Sequence, residues 1–336
     1  MLKLSVLDQS TNLMGRPQDH SIRQTLELAK TCEDLGYSRF WVSEHHNHET
    51  IIGSAPEILM AAIAATTNSI RIGSAGVMLP HYSPLKVAEQ FRVLDAIAPG
   101  RIDLGLGRAP GSDGKTAYAL NPNAGTAADQ FPANVRDLMA WVTGDALTAD
   151  HPFAGIKAYP QSETSPDLWM LGTSDYGAQV AAHFGVPYCF AHFITDGRGV
   201  GRAFDIYRDN YQPSARFPKP IATICLWALA AETEKQARQF YASRAHNKVM
   251  REYGQLGPLI SPEDALAYSY NNVQQAHFDK LTDEAIIGDA GQVAATLREI
   301  ASGYEIDEIV VLTWAHDPVV QKRSYELLAE EFKLKP

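Results

Sequence analysis

Apolar runs and polar breaks alternate along the chain at a regular pace. Leu2–Leu7 has strand character. From Ser21, read as the cap, to about Leu35 a helix follows, with Ile22, Leu26, Ala29 and Cys32 on one face and Gly36 ending it. The pattern recurs. Strands are predicted at Arg39–Ser43, Ile70–Leu79, Arg101–Gly107, Leu168–Leu171, Val186–Phe193, Ile221–Ala231 and Glu308–Trp314. Helices are predicted at Pro56–Thr67, Pro84–Ala98, about Ala127 to Thr143, Ala178–Phe184, Val200–Tyr211, Thr233 to about Met250, Gly291–Gly303 and Pro318–Phe332. Such alternation means a parallel sheet, and eight strand–helix units over this length predict a (β/α)8 TIM barrel, an α/β fold, as one domain over residues 1–336.

Two stretches break the rhythm and read as insertions after strands four and seven. A polar, Gly-rich loop follows strand four to about Ala127, and Asp145 to Asp167 is an excursion. After strand seven, Arg251–Ile287 shows no strand and only a short helix near Pro262–Tyr268; an insertion of this length reads as a lid. A doubly wound sheet is the alternative. It would want a dinucleotide fingerprint after strand one, and Asp8-Gln-Ser-Thr-Asn-Leu-Met-Gly15 carries no Gly-x-Gly-x-x-Gly.

The net charge of -10 argues against a nucleic-acid partner held by phosphate contacts. Cys32, Cys189 and Cys225 form no Cys-x-x-Cys pair and read as small buried hydrophobes in a reducing compartment. No stretch approaches the roughly 20 apolar residues of a membrane span. The N-terminus lacks a signal-peptide core, and the expected location is the cytoplasm.

A barrel of this kind gathers its chemistry at the carboxyl ends of the strands. Those ends carry Asp8, Glu44-His45-His46, Ala75-Gly76, Gly107-Arg108, Gly172-Thr173-Ser174, His192, Trp227 and Trp314-Ala315-His316. Arg108 beside a Gly/Ser/Thr turn at a helix start suits a phosphorylated ligand, because a helix N-terminus and a guanidinium both bind phosphate. The alternative is a plain barrel loop with its arginine in a surface ion pair. Gly73, Ala75 and Gly76 either admit a flat ligand against strand three or mark a bulge. His46-Asn47-His48 has metal-ligand spacing, and with His192 and Asp317 it would suit a metal-dependent barrel hydrolase. Against that, such enzymes set the pair on the first strand, and strand five here ends without a ligand. His46 reads as structural, and Glu44 as a buried partner fixing one imidazole's tautomer. Trp227, Trp314 and Tyr176 are either pocket walls or core. The run Ile58-Leu-Met-Ala-Ala-Ile-Ala-Ala65 is apolar nearly all round, so its helix lies deep or packs on another subunit.

The motifs Glu44-His45-His46-Asn47, Ile72-Gly73-Ser-Ala-Gly-Val-Met-Leu-Pro80, Pro99-Gly-Arg-Ile-Asp-Leu-Gly-Leu-Gly-Arg-Ala-Pro-Gly111, Leu171-Gly-Thr-Ser-Asp-Tyr-Gly-Ala-Gln-Val-Ala-Ala182 and Asp307-Glu-Ile-Val-Val311 occur in that order. In this set the chain resembles the bacterial luciferase-like monooxygenase family, over essentially its whole length. The resemblance implies a barrel that binds FMN at the rim, as reduced flavin delivered by a separate reductase. It implies C4a-hydroperoxyflavin chemistry with molecular oxygen on a small organic substrate, and a homodimer. By resemblance, His45 is the catalytic histidine. Arg108 and Ser174 contact the flavin phosphate, with Thr173 beside Ser174 and Gly107 also in the cofactor site, and Ala75-Gly76 lies against the ring system through a cis peptide. Gly177 stands where luciferase often has a hydroxyl. Relatives that bind the deazaflavin F420, or bind flavin without catalysis, define the alternatives.

Overall fold

A computed structural model of the chain describes residues 2–109 and 113–335, so Pro110 and Gly111 of the third motif lie outside the described residues. The strands are β1 (Lys3–Asp8), β2 (Arg39–Val42), β3 (Arg71–Met78), β4 (Ile102–Gly107), β5 (Asp167–Gly172), β6 (Tyr188–Ala191), β7 (Ala222–Trp227), β8 (Leu229–Ala231), β9 (Ile287–Asp289) and β10 (Glu308–Leu312). Eight of them close a barrel in the order β1-β10-β7-β6-β5-β4-β3-β2, with parallel pairing, as the alternation predicted. The remaining two, β8 and β9, pair as a separate two-stranded sheet.

The chain packs as two compact units. One comprises Met1–Ser38, Asn47–Gly53 and Cys225–Pro336, the other Arg39–His46 and Ser54–Ile224. In the first, Leu4 and Val6 of β1 and Ile309–Leu312 of β10 are buried outright. The Tyr37 hydroxyl donates to the Tyr325 carbonyl at 2.8 Å and ties the turn after the first helix to the last helix. In the second, Phe40, Ile72, Leu104, Met170 and Phe190 form the core. Within it sits a polar knot. The fully buried Asp103 accepts from Arg39 (2.8 Å), Trp41 (2.9 Å) and Arg71 (2.5 Å). Gly73 is small for this knot, because a Cβ there would stand 2.6 Å from the Trp41 indole and 2.7 Å from the Asp103 Cβ.

Five local expectations are corrected. The first helix begins at Gln18 behind Pro17, and Ser21 is buried inside it rather than capping it. The predicted seventh strand is two, β7 in the barrel and β8 outside it. From Ile224 on its sequence is apolar, so nothing in the pattern marks the break at Ala228, whose backbone bonds Leu312 and Thr313 of the neighbouring strand and its end. Strand six stops at Ala191, and His192 opens a short helix to Thr195. The insertion after β7 holds two helices, Pro262–Ala267 and Asn272–Asp283, and ends in β9. Both helices pack on Glu234–Glu252, with the His246 ring bonded to the Tyr270 hydroxyl at 2.7 Å. The loop after β4 carries helices Gly114–Leu120 and Ala124–Asp129 before the helix Phe131–Thr143.

Candidate functional site

The expected site residues His45, Ala75, Gly76, Gly107, Arg108, Thr173 and Ser174 all fall in the second unit, Ala75 and Gly76 inside β3 and the others at or just past the ends of β2, β4 and β5. Strand β3 passes Ser74 in register with β4, then shifts before Val77, so the bulge is real. The Ala75–Gly76 peptide within the shift is cis, as the resemblance implied. Gly76 is required by close packing: a Cβ would meet Leu171 Cδ1 at 2.6 Å and the Gly105 carbonyl oxygen at 2.8 Å.

Arg108, just past β4, is exposed, and its guanidinium lies 4.5 Å over the Tyr176 ring. Tyr176 belongs to the first turn of the helix Asp175–Phe184, which follows β5. Arg108 and that helix N-terminus are therefore brought together. No carboxylate pairs with Arg108 among the described residues, so the surface ion-pair reading falls. Ser174 occupies the N-cap, exposed, and its side chain makes no cap hydrogen bond. Thr173 is half-buried beside it. Gly107 is half-buried too, and a Cβ there would meet only the Val77 carbonyl, at 4.0 Å. Asp175 is the one acidic group of that first helical turn, and Arg202 pairs with it at 2.8 Å, which offsets its charge. The arrangement presents a cation and a helix N-terminus with an uncommitted hydroxyl, a set suited to a phosphate group.

At the end of β2, Glu44 is buried to 2% exposure. Its Oε1 takes the Tyr82 hydroxyl at 2.6 Å and His46 Nε2 at 2.8 Å, and its Oε2 takes the Met78 backbone N–H at 3.1 Å. Burial, then the Glu44 charge, pushes the Tyr82 phenol well up, so Tyr82 stays a donor. The imidazole that Glu44 fixes is that of His46. His45, the next residue, is half-buried with Nδ1 turned from solvent. Tyr82 and Met78 were not legible as partners of Glu44. Each lies more than 30 residues away, and no spacing rule links them.

The metal-site reading loses its ligands to other duties. His46 serves Glu44. His48 Nδ1 accepts the N–H groups of Thr50 (3.2 Å) and Ile51 (3.0 Å). Asp317 caps the last helix through the Val319 N–H and pairs with Arg16. Among the described residues, no group of three or more His, Cys, Asp or Glu side chains is placed to hold a metal ion. Nor, among them, is any helix long and apolar enough to cross a membrane.

The chain belongs to the luciferase-like monooxygenase family, whose model matches residues 2–304. It is 36% identical to an N-acetyl-S-alkylcysteine monooxygenase of Bacillus subtilis, with 98% of each chain covered. The crystal structure of apo-MsnO8 superposes with a TM-score of 0.90 at 35% identity, covering 100% of both chains. The oxygenating constituent of 3,6-diketocamphane monooxygenase from Pseudomonas putida, solved with FMN, shares the fold at a TM-score of 0.74 and 17% identity, covering 98% of this chain and 97% of that one.

Proposed function

We propose that this protein is a flavin-dependent monooxygenase that takes up reduced FMN from a separate reductase and oxidises a small organic substrate with molecular oxygen. The observation that carries this reading is Arg108, stacked on Tyr176 at the start of the Asp175–Phe184 helix, with no competing carboxylate among the described residues. That set fits the phosphate of FMN, with Arg108 as the clamp, Ser174 and Thr173 as hydroxyl donors and Gly107 leaving the approach open. Ala75 and Gly76, with minimal side chains, suit the ring system. When bound, the reduced flavin supplies the electrons by which one oxygen atom enters the substrate and the other leaves as water. His45 is the residue that holds or moves a proton beside the flavin, since an imidazole titrates near working pH.

The relative's name makes N-acetyl-S-alkylcysteines the first substrates to offer. A homodimer belongs to the same reading. Ile58 is 67% exposed on the helix Pro56–Ala64, and Val93 and Ile97 are about half exposed on Pro84–Ile97, which packs on it. Two variants test the assignment. Arg108→Ala should weaken FMN binding about tenfold or more, the scale of one lost charge-assisted contact. His45→Ala should keep FMN binding and lose most product formation. Equal dissociation constants for Arg108→Ala and the parent would remove the phosphate clamp. Undiminished turnover in His45→Ala would remove the proton role.

A further inference from the structure

Glu44 does something that neither its family motif nor its burial predicts. Strand β2 pairs with β3 from Arg39↔Arg71 to Val42↔Ser74 and then ends. Strand β3 runs on for four more residues, through the register shift at Ala75 and Gly76, and rejoins β4 at Val77↔Leu106 and Met78↔Gly107. On the other side of β3 the ladder partner is gone. The Met78 N–H donates instead to Glu44 Oε2 at 3.1 Å. The carboxylate stands where a strand carbonyl would have been, and its other oxygen is held by Tyr82 and His46. A buried carboxylate with three donors is a fixed acceptor, since each lost bond would leave a desolvated polar group.

We infer that Glu44 is a positioning residue of the flavin site. Its side chain replaces the missing strand, pins Met78, and so holds the Ala75–Gly76 backbone at one height against the cofactor. Tyr82 and His46 hold Glu44 in turn. This inference rests on the flavin reading proposed above, and it assigns Glu44 no contact with flavin or substrate.

The test compares Glu44→Ala, Glu44→Gln and Tyr82→Phe with the parent. Amide hydrogen exchange at Met78, FMN titration and the visible circular dichroism of bound FMN are measured on the full chain. Glu44→Ala should speed Met78 exchange and weaken FMN binding, each about tenfold, the scale of one backbone hydrogen bond. The dichroism of any FMN still bound should change. Glu44→Gln should return all three toward the parent, because a carboxamide oxygen still accepts the Met78 N–H while Tyr82 and His46 reverse their donor roles. Unchanged Met78 exchange in Glu44→Ala overturns the inference. So does faster exchange with parental FMN affinity and dichroism, or a Glu44→Gln no better than Ala. If Glu44→Ala does not fold, Tyr82→Phe decides: it keeps the Met78 acceptor but leaves Oε1 held by His46 alone, so Met78 exchange must quicken by a smaller factor, and no change overturns the inference. A parent that binds no flavin fails differently, since it removes the proposed function first and this assignment with it.

Discussion

Asp103 has no accessible surface, and three side chains converge on it. Removing one partner of a buried ion pair leaves uncompensated charge, so Asp103→Ala should cost about 3–5 kcal/mol of stability in urea unfolding. A loss under about 1 kcal/mol would place the knot among exposed pairs, whose worth is of that order. At this scale the sequence was legible wherever chemistry and strand ends coincide. Arg108 could be placed near a helix start from the alternation alone, with a surface ion pair as its alternative, whereas only the resemblance singled out His45 from its neighbours. Asp103 was not legible, since an acid in the middle of Ile-Asp-Leu looks like an outward residue until Arg39, Trp41 and Arg71 surround it. The same holds for Tyr82, which is recognisable only once Glu44 is folded beside it.

Among elements, the segments 10–14, 48–52 and 257–259 form a small clasp within the first unit. The Asn12 N–H meets the Thr50 carbonyl at 2.8 Å, the Leu259 N–H meets the Asn12 carbonyl at 2.7 Å, and the Thr50 hydroxyl donates to the Gly257 carbonyl at 2.6 Å. His48 organises the middle segment by accepting two N–H groups at Nδ1, which requires that nitrogen to be unprotonated. Burial first, then the Arg251 charge, lowers the His48 pKa from its ordinary 6.5, while Glu49 opposes them. A histidine depressed in the folded state takes up its proton more readily when unfolded. Its contribution to stability is therefore present above the unfolded value and lost as pH falls from about 6.5 toward the folded value. His48→Asn, whose carboxamide can still accept an N–H, should flatten the decline in melting temperature below pH 6.5. A decline identical to the parent's would show that His48 does not set it. Elements were legible where periodicity was strong, as in Pro84–Ile97, and missed where it was faint. The helix Asn272–Asp283 buries only Phe278 and Leu281, yet its Asn271–Gln274 capping box was a usable signal.

For the whole molecule, the barrel followed from eight alternations, a property of the chain that survives errors of a few residues at any boundary. The split of strand seven and the structure inside the insertion did not follow, because both depend on where distant backbone groups find partners. The lid expected over 251–287 is about half made of two docked helices, and Gly257 and Leu259 at its start are tied into the clasp. The face built from Arg108, Ser174 and Ala75-Gly76 is proposed to take a flavin, and to take it reduced. The most direct measurement is an anaerobic titration of the purified protein with FMN, first oxidised and then dithionite-reduced, followed by flavin absorbance and fluorescence. Saturable binding is expected, with the reduced form the tighter of the two and a weaker curve for Arg108→Ala. Saturation by neither form would contradict it.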